Sequence, residues 1–311
     1  MPFCNILAGA VLISAAALAA TDAAAAGCAT SNLESECRHY SLKLNSLFNP
    51  QAQTMGLYVK ARIGGGSSLR LLLDSGAQHV VLNKSVAVSF SEPSGATLEL
   101  VGLGGSDKGA RRLACATVEI GDLALRDCDM LSVDVQLLDG IDGVVPLSLF
   151  AGFLVKLDIP RKTLDLDPYS AANAIKDELY SPVRADNRLL FLEATLNDSP
   201  QSGYVLLDTG ASYNAVSTSV AARGWKGYRT MSPTLALRGF LAEMGGFLLP
   251  AGVRFRFGLH VVSADPAVVV DLSDLSNHHK FAIEGILGYP ALRRSIVTIN
   301  YRDTVLNIAE K

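Results

Sequence analysis

Apolar and polar positions along this chain alternate in short runs, with glycine breaking the pattern every ten or so residues. Leu57-Tyr58-Val59-Lys60-Ala61-Arg62-Ile63 alternates, which predicts a strand with one buried face. Gly64-Gly65-Gly66-Ser67-Ser68 turns the chain. Leu69 to Leu73 then returns it to Asp74 as a nearly unbroken apolar run, the pattern of a strand covered on both faces. Further strands are predicted at Thr97–Val101, on either side of Gly121-Asp122, and over the hairpin from Val155–Ile159 to Thr163–Leu166. An apolar turn, Ile141-Asp142-Gly143-Val144-Val145-Pro146, lies between them. Helical signals are brief, at Leu147–Gly152 and Ser219–Trp225. The pattern predicts a mostly-β fold.

The second half repeats this series in order. Tyr204 to Asp208 answers Leu69 to Asp74, Thr234–Gly239 answers Thr97–Gly102, and Val253–Gly258 answers Ala116–Gly121. Glu284-Gly285-Ile286-Leu287-Gly288 answers Asp142–Pro146, and Val297–Ile308 answers Val155–Leu166. The offset drifts from 134 to 137 to 142 residues, as small loop insertions in a duplicated unit would produce. The period is far too long for a solenoid. We therefore expect a first lobe over residues 57–168 and a second over 187–311. A polar linker at 169–186, including one helix at Ser170–Glu178, joins them, and an arm at 27–56 precedes them. A chain of 311 residues suits two units of about 100–200 residues each.

Each half carries one costly choice at the same place. Leu71-Leu72-Leu73-Asp74-Ser75-Gly76-Ala77 and Val205-Leu206-Leu207-Asp208-Thr209-Gly210-Ala211 both set a carboxylate directly after a buried strand. A desolvated charge must be paired or partly neutralised. Two equivalent aspartates in two equivalent lobes can meet across a two-fold axis. At about 3 Å they cannot both ionise, so one keeps its proton. Such a pair supplies general acid and base together, without metal or cofactor. A single Asp-Ser-Gly-Ala is more often a turn capped by Asp; the duplication reverses that preference. Ser75 and Thr209 suit hydroxyls that lock the two loops, and Gly76 and Gly210 allow close backbone approach.

Asp74-Ser75-Gly76-Ala77 and Asp208-Thr209-Gly210-Ala211-Ser212 resemble the active-site loops of the aspartic proteases. Ala77 and Ala211 at the fourth position resemble the retroviral type. Asp142-Gly143-Val144-Val145 and Glu284-Gly285-Ile286-Leu287-Gly288 are similar to the segment that threads behind those loops. The resemblance covers about Leu57 to Ile308. It implies two tandem retropepsin-like β-barrel lobes related by a pseudo-two-fold axis, with the cleft between them. It also implies an endopeptidase using Asp74 and Asp208 on an extended polypeptide. A non-catalytic peptide-binding or envelope-assembly protein that retains the fold is the alternative. In that family a β-hairpin flap covers the cleft. Gly102, Leu103, Gly104 and Gly105 suit the first flap tip, and Gly239 with Phe240 the second. Three departures fall on the Asp74 side, one being that no Tyr stands near the first flap tip. Pro146 stands where the second half has Gly288, and is expected to distort the packing behind Asp74. Gln78-His79 follows the first motif; a surface or core-edge place is expected for His79, with an approach to the aspartate pair as the alternative.

Composition narrows the setting. The chain is 49% hydrophobic and 18% charged, against a usual charged share of about 25%, so the core is well filled. A net charge of −3 leaves no electrostatic footprint for nucleic acid, and the five cysteines show no zinc spacing. Residues 1–26 read as a secretory signal; a membrane anchor is the weaker reading, because Asp22 and the alanine content make a poor span. No integral span is expected after signal removal. Ala25-Ala26-Gly27-Cys28 resembles a bacterial lipoprotein box, so anchoring through Cys28 stands beside free export to the periplasm or medium. Across a two-residue turn at Gly121-Asp122, Cys115 and Cys128 would face one another at disulfide distance. Cys28 and Cys37 would close a second loop. Two buried thiols are the alternative at Cys115 and Cys128. A monomer is expected.

Overall fold

The computed structural model describes residues 17–18, 38–49, 54–89, 97–103, 105–134, 138, 140–169, 179–197, 199–225, 234–238, 243–249 and 252–311. The first half contributes β1 (Ala17–Leu18), β2 (Tyr40–Lys43), β3 (Asn45–Asn49), β4 (Thr54–Ile63), β5 (Leu69–Asp74) and β6 (Val80–Asn83). Helix α1 (Lys84–Ala87) follows, then β7 (Thr97–Gly102), β8 (Gly105–Ile120), β9 (Leu123–Val133), β10 (Gly143–Pro146), β11 (Phe153–Asp158) and β12 (Thr163–Pro168). The second half runs β13 (Ser181–Asp186), β14 (Leu189–Leu196), β15 (Ser202–Asp208), β16 (Asn214–Ser217), helix α2 (Thr218–Gly224), β17 (Thr234–Arg238) and β18 (Glu243–Leu249). It closes with β19 (Val253–Phe257), β20 (His260–Ala264), β21 (Ala267–Val270), α3 (Ser273–His279), β22 (Ile283–Gly288), α4 (Tyr289–Leu292), β23 (Ser295–Asn300) and β24 (Val305–Glu310).

The apolar turns of the sequence become short strands threaded between two others. β10 lies parallel to β5 and antiparallel to β6, with Pro146 opposite Asp74. In the second half β22 lies parallel to β15 and antiparallel to β16, with Gly288 opposite Asp208. This threading leaves no room for a side chain at its start. A Cβ on Gly143 would stand 2.4 Å from the Val81 carbonyl oxygen, and one on Gly285 2.8 Å from that of Ala215. The turns after β6 and β16 are also alike. Asn83 accepts the Ser85 N–H, and Ser217 accepts the Val220 N–H; these are N-caps that turn each strand into its helix.

A shared sheet joins the halves, in the order β13-β24-β23-β11-β12-β2, with three strands from each half. At its centre Val155 faces Ile299, Lys156 faces Thr298 and Leu157 faces Val297. In the sequence repeat Val155 corresponds to Val297 and Leu157 to Ile299. The contact is therefore self-complementary, and a two-fold axis passes between Lys156 and Thr298. β2 falls where the sequence suggested an arm or a first irregular strand, and β13 falls in the expected linker. Tyr40 and Leu42 are buried while Ser41 and Lys43 are exposed, an alternation too short to read unaided. The expected linker helix at 170–178 and the Cys28–Cys37 pair lie outside the described residues.

The hairpin β8–β9 departs from the expected register. Ile120 faces Leu123 and Val118 faces Leu125, as the turn dictates, but Cys128 faces Ala116. An extra residue on β9 causes this, and Asp127 there takes a φ of 52°, the geometry of a β-bulge. A second irregularity between Leu113 and Ala116 restores the register, so that Leu113 faces Met130. Cys115 is thus displaced from direct opposition to Cys128, and its side chain lies outside those described. Among the described residues no helix is long and apolar enough to cross a membrane.

Candidate active site

The two aspartate loops meet at the interface between the lobes. Ser75 Oγ donates to the Leu207 carbonyl at 2.8 Å and accepts the Thr209 N–H at 3.0 Å. Thr209 Oγ1 donates to the Leu73 carbonyl at 3.0 Å and accepts the Ser75 N–H at 3.0 Å. Four bonds thus tie two loops of opposite lobes, and each hydroxyl uses both its proton and a lone pair. All four groups are buried, so each bond also prevents an orphaned backbone group.

This lock brings Asp74 and Asp208 together, both wholly buried. Asp74 Oδ1 accepts the Gly76 N–H at 2.7 Å. Asp208 Oδ1 accepts Gly210 N–H at 3.0 Å and Ala211 N–H at 2.9 Å. The Oδ2 atoms have no backbone or hydroxyl partner among the described residues, and the carboxyls lie within hydrogen-bond reach of each other. Two carboxyls so placed cannot readily both ionise, and one proton between them would relieve the repulsion. Burial pushes Asp74 up to about 7, against the weaker lowering effect of its hydrogen bonds. Burial, then the charge of Asp74, pushes Asp208 well above the ordinary carboxylate range. The approach depends on glycine: a Cβ on Gly210 would stand 2.5 Å from the carboxyl carbon of Asp74. Ala77 and Ala211 are buried in the lobe cores behind the two loops.

The first flap expectation falls on a hairpin. Gly102 faces Gly105 across the tip of β7–β8, with Gly104 outside the described residues. Leu103 is only 2% exposed and belongs to the apolar cluster of the second lobe, with Phe191, Ala211, Tyr213 and Leu275. β7 also packs against α3 of that lobe. The hairpin therefore reaches across from one lobe to the other. The second hairpin, β17–β18, pairs up to Arg238 and Glu243, and its tip with Gly239 and Phe240 lies outside the described residues.

Pro146 does not distort the strand behind Asp74; it pairs as Gly288 does. Physical compensation explains this. In the second lobe Gly288 N–H donates to Asn214 Oδ1 at 2.9 Å. In the first lobe the corresponding residues are Pro146 and Val80, so donor and acceptor are lost together, which leaves nothing unsatisfied. His79 is not at the surface: it is 5% exposed, with Nδ1 3.3 Å from Asp129 Oδ2.

Several contributors escaped the sequence reading. Ser212 Oγ accepts the Met55 N–H at 3.0 Å and donates to the Met55 carbonyl at 3.1 Å, tying the Asp208 loop to β4 of the other lobe. Four residues after Asp74, the Gln78 carbonyl accepts from Arg188 of the second lobe at 3.2 Å. The serine after the second motif was the one available signal for such a tie.

Residues 59–148 match the family model described as aspartyl protease. No curated protein matches the sequence. Among solved structures, the aspartic proteinase from Irpex lacteus superimposes with a TM-score of 0.56 at 14% identity, covering 88% of this chain and 98% of that one. Residues 59–148 are thus similar to the aspartyl protease family, and most of the chain shares the fold of that aspartic proteinase, with the strand-threaded unit present twice.

Proposed function

We propose that this protein is an exported aspartic endopeptidase that cleaves extended polypeptides with Asp74, Asp208 and one water. The observation that carries this reading is the buried carboxyl pair held by reciprocal Ser75 and Thr209 bonds, with both Oδ2 atoms free of backbone partners. With one proton on the pair, the charged carboxylate takes a proton from water as its oxygen attacks the peptide carbonyl. The protonated partner gives its proton to the carbonyl oxygen, forming a neutral gem-diol. Collapse of the diol returns a proton to the departing nitrogen and breaks the C–N bond. No metal or covalent intermediate enters these steps.

Closure of the β7–β8 hairpin over the cleft would shield the reaction from bulk water. Export through residues 1–26, disulfides at Cys115–Cys128 and Cys28–Cys37, and a monomeric state complete the proposal. Cys115 and Cys128 lie on paired strands, one residue out of direct opposition.

The test is digestion of a denatured protein between pH 3 and 8, with and without a statine-type inhibitor. Cleavage suppressed by the inhibitor is expected. Tight peptide binding without any cleavage would instead favour a non-catalytic peptide-binding protein.

A further inference from the structure

The two catalytic candidates are braced differently, and the difference assigns work to a cluster the proposed mechanism leaves unused. In the second lobe, the side-chain amide of buried Asn214 links the threaded strand β22 to the residue that precedes β21. Its Oδ1 accepts from Gly288, and its Nδ2 donates to the Pro266 carbonyl at 2.9 Å. Val80 and Pro146 remove this brace from the first lobe, although the strands pair there in the same way.

In its place the first lobe holds a buried carboxylate. Asp129 precedes Met130, which pairs with Val80; the matching place in the second lobe is Pro266, preceding Ala267, which pairs with Asn214. Asp129 Oδ2 lies 3.3 Å from His79 Nδ1, and its Oδ1 lies 3.3 Å from Arg112 Nε; both are close charge-type contacts without hydrogen-bond alignment. Arg188 of the second lobe adds its charge to the same carboxylate while donating to the Gln78 carbonyl. Asp129 falls within the second of the two cancelling irregularities of β8–β9, between Cys128 and Met130, and such bulges re-aim side chains. Burial opposes the charge of Asp129, but His79, Arg112 and Arg188 outweigh it and hold the carboxyl below its usual range.

Three separate parts of the fold therefore converge on one carboxylate. His79 belongs to the loop that carries Asp74, Arg112 to the long strand that descends from the first flap, and Arg188 to the β13–β14 turn of the opposite lobe. We propose that Asp129 is a positioning residue for Asp74: its close contacts with His79 and Arg112 replace the Asn214–Gly288 brace and register the Asp74 loop to the flap and the second lobe. A purely stabilising role fits poorly. Buried ion pairs often contribute little net stability compared with apolar packing, and the corresponding place in the second lobe carries Tyr213 and Pro266 without any such charges. This inference rests on Asp74 acting in catalysis.

The experiment compares Asp129→Ala, His79→Gln and the double change Val80→Asn/Pro146→Gly, alone and with the double change added to each single change. Asp129→Ala is expected to lower kcat between about tenfold and a hundredfold, the scale of an ångström-level misplacement, with KM little changed. Adding Val80→Asn/Pro146→Gly rebuilds the second-lobe brace and should restore most of kcat. If Asp129→Ala does not fold, His79→Gln should show a smaller kcat loss with the same rescue. An activity-independent readout is hydrogen exchange at the Gly76 amide, expected to accelerate in Asp129→Ala and to slow again in the rescued protein. Unchanged kcat and Gly76 exchange in both single variants would overturn the proposal. So would a loss that the rebuilt brace leaves untouched. If the parent cleaves nothing, the catalytic reading fails, and the exchange measurement still decides whether Asp129 holds the loop.

Discussion

Replacing Asp74 by Asn should make the protein more stable at neutral pH while abolishing its proposed activity. Asn keeps an Oδ1 acceptor for the Gly76 N–H, which Asp74 now binds at 2.7 Å, so the backbone contact survives. The proton balance changes. Burial pushes folded Asp74 up to about 7 from an ordinary value of 3.8. Below about pH 4 both folded and unfolded states hold the proton, and parent and variant should differ little. As pH rises towards 7 the unfolded state releases its proton first, so unfolding becomes easier. A shift of about three units at about 1.4 kcal/mol each amounts to about 4 kcal/mol. This destabilisation is complete only above the folded value, and the Asn variant avoids it. Asp129 and Asp158, whose values are held below the usual range despite burial, act in the opposite direction. They stabilise at higher pH and lose that contribution as pH falls, but both proteins contain them, so they cancel in the difference. Equilibrium urea unfolding of the two proteins at pH 4, 5.5, 7 and 8 measures it. A stability gap that stays flat across this range, or an Asn variant weaker at pH 8 than at pH 4 relative to the parent, refutes the burial argument.

Other outcomes follow from the same geometry. Thr209→Val removes a donor and an acceptor, orphaning the Ser75 N–H and the Leu73 carbonyl; a loss of about 2–5 kcal/mol is expected by denaturation. Combined with Ser75→Ala it should prove strongly non-additive, because both hydroxyls serve one lock. Gly210→Ala places a Cβ 2.5 Å from the Asp74 carboxyl carbon, and should cut peptide cleavage by about a hundredfold or more in a folded protein seen by circular dichroism. Leu103→Ala removes the buried flap anchor; burial worth about 1.5–3 kcal/mol predicts faster hydrogen exchange across β7 and the upper part of β8, with the β11–β23 sheet unaffected.

The duplicated spacing of Asp74 and Asp208, with their glycines and the threaded apolar turns, carried most of the architecture in the sequence. Those features are local, and each half repeats them. What the sequence concealed depends on contacts between distant segments. Ser212 to Met55, Arg188 to Gln78 and His79 to Asp129 each join residues whose own neighbourhoods give no hint of a partner. The Cys115–Cys128 register failed for a different reason: counting from a turn assumes a regular ladder, and one extra residue at Asp127 shifts it. Pro146 misled because it was judged alone, whereas its meaning depends on Val80.

The most direct measurement is peptide cleavage by parent, Asp74→Asn and Asp208→Asn proteins, each verified as folded, across pH 3 to 8. If the two carboxyls share one proton and activate one water, the parent cleaves and both variants are inactive throughout. Cleavage that persists in either variant contradicts the account.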